Sequence, residues 1–96
     1  MQILTPGHKY LLRSFEATTG QILQFIEKDV AGNTINDGTT NEEVLAMLID
    51  RCKLLGEKLP SRETSIAVTK LEEALLWFNK RTQDRKARGV EGTHKA

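Results

Sequence analysis

The sequence predicts an α+β fold: a short N-terminal antiparallel β-meander followed by a C-terminal antiparallel helical hairpin that oligomerises through its helices. Three observations predict it. Aromatic and aliphatic residues cluster between turn signals in the first forty residues. A capping sequence then opens a stretch with apolar residues at helical spacing. A glycine, a proline and a second cap lead into another such stretch. The expected organisation is one domain over residues 1–84, with 1–39 β-rich and 40–82 the hairpin, and a basic flexible tail over 85–96.

Lys9-Tyr-Leu-Leu-Arg-Ser-Phe15 reads as the first strand, Ala17-Thr-Thr-Gly20 as a turn, and Gln21–Lys28 as the returning strand. A helix also fits that last stretch, because Ile22, Ile26 and Val30 recur every four residues. Ala31-Gly-Asn33 and Asn36-Asp-Gly38 are further turn signals.

The helices have clearer punctuation. Thr40-Asn-Glu-Glu43 is a capping box, in which a hydroxyl and a carboxylate three residues on satisfy free N–H groups reciprocally. Val44, Leu45, Leu48, Ile49, Cys52 and Leu55 follow at helical spacing, and Gly56 and Pro60 bracket the stop. Ser61 caps the second helix, with Glu63 suiting its positive end. Ile66, Ala67, Leu71, Ala74, Leu75 and Phe78 form its expected apolar face, and Lys80 and Arg81 suit its C-terminal end. Met47, Leu76 and Trp77 fall outside these stripes. Two helices bury one stripe each against the other, so this surplus points to self-association.

Composition excludes much. The chain has 96 residues, 14 Lys and Arg against 13 Asp and Glu, and a net charge of +1. A polynucleotide-coating protein carries a large basic excess, so only the tail offers that chemistry, with Arg85, Lys86, Arg88 and Lys95 against Glu91. No apolar run approaches the ~20 residues a bilayer span requires. The N-terminal residues lack the pattern of a secretory signal. One cysteine, Cys52, precludes an intrachain disulfide, and two distant histidines have no metal-ligand spacing. No cofactor motif, metal set or catalytic arrangement is present. Glu72 and Glu73 are neighbours, about 100° apart on a helix, so they cannot share one substrate from one chain.

Candidate binding residues lie in two places. Arg62, Ser65, Thr69, Glu72 and Glu73 recur at steps of three and four, forming a polar stripe on the second helix. Short hydroxyls permit close approach of a ligand or another helix, and Arg62 suits phosphate. The plain alternative is a mixed solvent face whose hydroxyls bond back to carbonyls. In Lys9–Arg13, Tyr10 could stack on a base and Arg13 could neutralise phosphate. Alternation along a strand puts Tyr10 on the face opposite Lys9 and Arg13. Here the plain alternative is a sheet-core tyrosine. Arg51 and Lys53 read as surface charges.

The run Ser61-Arg-Glu-Thr-Ser-Ile-Ala-Val-Thr-Lys-Leu-Glu-Glu-Ala-Leu-Leu-Trp77 resembles the shared helical hairpin of the phage anti-CBASS and anti-Thoeris sponge proteins. It has their early Arg, their Ala-x-Thr-x-Leu-Glu and their aromatic after an apolar pair. Asn36–Leu45 together with Arg88–His94 resembles a subgroup from phages and prophages of Bacteroides-type bacteria. The resemblance covers residues 40–82 as fold, and the first forty residues depart from the anti-CBASS pattern towards the β-structure of anti-Thoeris members.

It implies a non-enzymatic protein, phage- or prophage-encoded and acting in the host bacterial cytoplasm. Such a protein sequesters cyclic di- or trinucleotide immune signals, or cyclic ADP-ribose-type signals, without a cofactor. It implies a homohexamer, built as a trimer of dimers, with pockets between protomers. By this resemblance Arg62, Ser65 and Thr69 lie at such a pocket, Lys70 and Glu73 beside it, and Tyr10, Arg13 and Arg51 are weaker carry-overs. A small phage structural or protein-interaction module is the alternative function.

Overall fold

The structure is a computed structural model and describes residues 1–89. It has two compact units, Met1–Thr40 and a second that begins at Asn41. The first contains five short strands: β1 (Gln2–Thr5), β2 (Lys9–Arg13), β3 (Gly20–Gln24), β4 (Glu27–Lys28) and β5 (Thr34–Asn36). The second contains helices α1 (Asn41–Lys58) and α2 (Arg62–Ala87). The α+β meander-then-hairpin order read from the sequence is the observed one.

In the first unit β1, β2 and β3 form an antiparallel sheet in that order, and β4 pairs antiparallel with β5 in a second, two-stranded one. β1 was not foreseen. It is four residues long and largely exposed, so it carries no alternation, and only pairing such as Ile3↔Tyr10 defines it. The stretch open to either helix or strand is extended. β3 runs to Gln24, Phe25 bridges Thr39, and β4 follows. Ser14 closes the β2–β3 connection: its N–H donates to the Thr19 carbonyl at 3.0 Å and its Oγ accepts from Thr19 N–H at 3.2 Å. Ala31–Asn33 turns as expected, with Gly32 at φ 90°. There Asp29 Oδ1 accepts the main-chain N–H groups of Ala31 (3.0 Å) and Asn33 (2.9 Å). The Asn33 N–H is the main cause holding the Asp29 carboxyl below its ordinary range.

Asn36-Asp-Gly38 is not a turn. Gly38 lies where main chains nearly touch: a Cβ there would meet the Gln24 carbonyl oxygen and come within 2.6 Å of the Phe25 carbonyl carbon. The glycine is required for close approach rather than for a reversed φ. Next to it Thr39 N–H donates to Gln24 O and Ile26 N–H donates to Thr39 O, each at 2.9 Å.

In the second unit, α1 starts directly after Thr40, which places Thr40 at the cap position and Glu43 in the first turn. The helix ends at Lys58, inside the Gly56–Pro60 bracket read from the sequence, and Leu59 N–H still reaches Leu55 O at 2.9 Å. Ser61 caps α2 as expected, accepting Thr64 N–H at 3.0 Å from an extended backbone. The helices pack along a seam around buried Ile49, with half-buried Glu42, Leu45, Cys52 and Gly56 on α1 and Thr64, Val68, Leu71, Leu75, Phe78 and Thr82 on α2. At 9% exposure, Ile49 is the one apolar residue among the described residues that counts as buried.

Ile66 and Ala67, expected on the apolar face of α2, are exposed, while Val68 and Thr64 take their place. The stripe that meets α1 repeats in steps of four and three, and both lie just outside it. α2 also runs past the expected end at 82. Arg85 and Lys86, assigned to the tail, occupy its last turn, where positive charge favours helix continuation. Gly89, at φ 69°, ends it, donating its N–H to Lys86 O at 3.0 Å. The rest of the expected tail, residues 90–96, lies outside the described residues.

Candidate functional site

The polar stripe of α2 starts at the helix cap. Because Ser61 holds the first turn, Arg62 is the first helical residue, beside the positive end of the helix dipole, with Glu63 as its acidic neighbour. The Arg62 side chain is exposed and has no ion-pair partner among the described residues. Ser65 and Thr69 follow on the same side. Their hydroxyls donate back along the helix, Ser65 Oγ to Ser61 O at 3.1 Å and Thr69 Oγ1 to Ser65 O at 3.2 Å. This is the plain alternative weighed from the sequence, and it has a chemical consequence. With its proton committed, each hydroxyl offers lone pairs outward and acts towards a ligand as an acceptor. Donors on this stripe come from Arg62.

Glu73 continues the stripe one turn beyond Thr69, and exposed Leu76 extends it. Lys70 lies off the line and reaches Glu73 across 3.8 Å, with both side chains largely exposed. Glu72 and Glu73 diverge as their adjacency requires. Glu72 turns to α1, where its Oε2 meets Lys53 Nζ at 3.0 Å. Lys53, read as a surface charge, therefore bridges the two helices. Only the antiparallel register of the hairpin brings residues nineteen apart together, so neither sequence segment alone signals it. Two open hollows lie along the hairpin, with Lys53 lining both and Glu72 one of them. One, of about 380 Å³, is lined by Cys52, Gly56, Pro60, Thr64 and Ser65. The other, of about 440 Å³, is lined by Ile49, Asp50, Leu75, Leu76 and Asn79. Ser65 thus edges a hollow as well as the stripe.

The remaining candidates are dispersed. Arg51 follows Ile49 by two residues, about 200° around α1, so it lies away from the seam and is exposed. Tyr10 and Arg13 belong to β2 in the first unit. Tyr10 is half-buried, its ring meeting Phe25 edge-on at a centroid distance of 6.0 Å, while Arg13 is exposed at the strand end. Tyr10 therefore has the packing role of a sheet tyrosine. Among the described residues no group of three or more His, Cys, Asp or Glu is arranged to hold a metal ion. No helix among them is long and apolar enough to cross a membrane.

A capped two-helix hairpin, with an exposed arginine at the head of its second helix, is the class of module the structure defines. Residues 23–83 match the family model described as Acb2/Tad1, hairpin domain, and the chain belongs to that family. The match starts within β3, so the family likeness reaches further towards the N-terminus than the hairpin alone. A protein of Bacillus phage SBSphiJ7 named Thoeris anti-defense 1 is 51% identical over 59 residues. The shared segment is 60% of this chain and 42% of that relative, so the chain spans less than half the relative's length.

Proposed function

We propose that this protein is a non-enzymatic phage anti-defence sponge acting inside the infected bacterium. It binds cyclic di- or trinucleotide immune signals in pockets between protomers and keeps them from their effectors. The observation that carries this reading is membership of the Acb2/Tad1 hairpin family over residues 23–83, supported by the similarity to a phage protein named for anti-defence. A cyclic ADP-ribose-type signal is a second arm of the same reading.

The chemistry of the stripe supports it. Arg62 supplies a planar donor fork for phosphate, and Ser65 and Thr69 supply acceptors for ligand hydroxyl or amino groups. Lys70 and Glu73 lie beside them; Tyr10, Arg13 and Arg51 are secondary members of the proposed set. One chain offers an open stripe rather than an enclosed pocket, and symmetric copies, six in the proposed trimer of dimers, close it around a symmetric ligand. Leu76 and Trp77, 69% and 71% exposed, are the apolar surface that such assembly covers.

The test is a thermal-shift panel of cyclic di- and trinucleotides and cyclic ADP-ribose isomers, followed by denaturation and recovery of the ligand. A tight ligand at a thousandfold excess over its Kd raises stability by about 4 kcal/mol. The ligand is expected back intact, and Arg62→Ala is expected to lose most of the shift while unfolding as wild type without ligand. Degraded ligand, or a stable monomer at micromolar concentration, sinks the sponge reading.

A further inference from the structure

The chain contains a single Asp–Gly step, Asp37–Gly38, and no Asn–Gly step. We propose that Asp37 is a site of spontaneous isomerisation to isoaspartate, and that the change releases the Thr39 anchor of the β-rich unit.

Four observations converge on it. Both residues are exposed, so water and protons reach them. Gly38 has no side chain to shield its nitrogen. That nitrogen donates to Asp37 Oδ1 at 2.9 Å, which holds it one bond away from the Cγ carbon it must attack. The bond keeps the nitrogen beside the carboxyl, and a rotation about the Asp37 side chain then turns Cγ to it for ring closure. Among the described residues no ion pair draws the Asp37 carboxylate away.

The chemistry balances with water and a proton alone. Gly38 N bonds to Asp37 Cγ; the amide proton, a carboxylate oxygen and one solvent proton leave as water, giving a five-membered succinimide. Water then opens the ring. Attack at the Cγ carbonyl restores aspartate. Attack at the main-chain carbonyl leaves the chain running through Cγ, as isoaspartate of unchanged mass.

The product lengthens the main chain by one methylene immediately before Gly38. That is where the fold has least room, since even a Cβ on Gly38 would come within 2.6 Å of the Phe25 carbonyl carbon. The displaced groups are those of the neighbouring anchor, Thr39 N–H on Gln24 O and Ile26 N–H on Thr39 O. A slow covalent change at an exposed link thereby becomes a loss of two main-chain hydrogen bonds.

The experiment ages the folded, full-length protein at neutral pH. Isoaspartate is located by electron-transfer fragmentation and by isoaspartyl-methyltransferase labelling, and amide exchange is measured on the aged fraction. Isoaspartate is expected at 37 many-fold faster than at Asp29, Asp50 or Asp84. Exchange at Ile26 and Thr39 is expected to accelerate, and Asp37→Glu, which disfavours the ring, is expected to stop both changes. Isoaspartate forming at 37 in urea but not in the folded protein overturns the site. Isoaspartate at 37 with unchanged exchange at Ile26 and Thr39 overturns the release.

Discussion

The two units solve the same problem, order in a short chain with little interior, by opposite means. The hairpin relies on side chains: Ile49, Leu71, Leu75 and Phe78 meet along a seam, and Ser61 fixes where the second helix begins. The β-rich unit relies on main chain and has no residue as buried as Ile49. Gly38 lets main chains approach, Thr39 ties them, and the Asp29 carboxylate gathers the amides of a turn. A glycine in each unit shows the contrast. A Cβ on Gly38 would run into main chain, whereas one on Gly56 would meet only the Thr64 methyl at an ordinary 3.6 Å.

Ile49→Ala strikes the side-chain solution where it is most concentrated. It is expected to cost the hairpin about 2–4 kcal/mol, seen as a lower helical melting midpoint by circular dichroism. Gly38→Ala strikes the main-chain solution. A cost of about 1–3 kcal/mol is expected, with faster amide exchange at Ile26 and Thr39 while α1 and α2 stay protected. Equal loss of protection in both units would mean that the contrast between them is false.

Gly56→Ala should move stability the other way. It sits inside α1 with room for a methyl, so a gain of about 0.5–1 kcal/mol is expected in urea unfolding. The smallest effect is that of acid on the Asp29 turn. Its carboxyl is held below the unfolded-chain value, so the contribution is complete above that value and fades as pH falls through the lower folded one. NMR titration should show the Asn33 amide shifting over that acid range and the shift vanishing in Asp29→Asn. A midpoint at or above the ordinary aspartate range would remove the carboxylate from its place in the turn.

The same division explains what could be read in advance. Ser61 and the apolar spacing of α1 are local signals, and they located the hairpin. Which stripe of α2 faces inward is not local: Ile66 and Val68 are both apolar, and only the register against α1 selects Val68. β1 is exposed on both faces, which erases alternation, and Gly38 reads as a turn glycine because close approach leaves the same glycine in the sequence. At the site, the stripe Arg62–Ser65–Thr69 was legible from spacing. The back-bonding of its hydroxyls appeared only as an alternative, and the Lys53–Glu72 bridge depends on a pairing between helices that neither segment encodes.

The alternating steps of four and three along α2 carry a last consequence. From Thr64 to Thr82 the seam keeps a seven-residue period, which an unconstrained helix of 3.6 residues per turn would outrun by ~20° each repeat. Holding the seam straight therefore holds every other bearing straight with it, and Arg62, Thr69, Leu76 and Gln83 stay in one file. Inserting a single residue would swing everything beyond it by about 100° and break that file. The length of this hairpin is in effect quantised: growth or trimming in sevens keeps seam and stripe in phase, whereas a change of one or two residues moves both out of it.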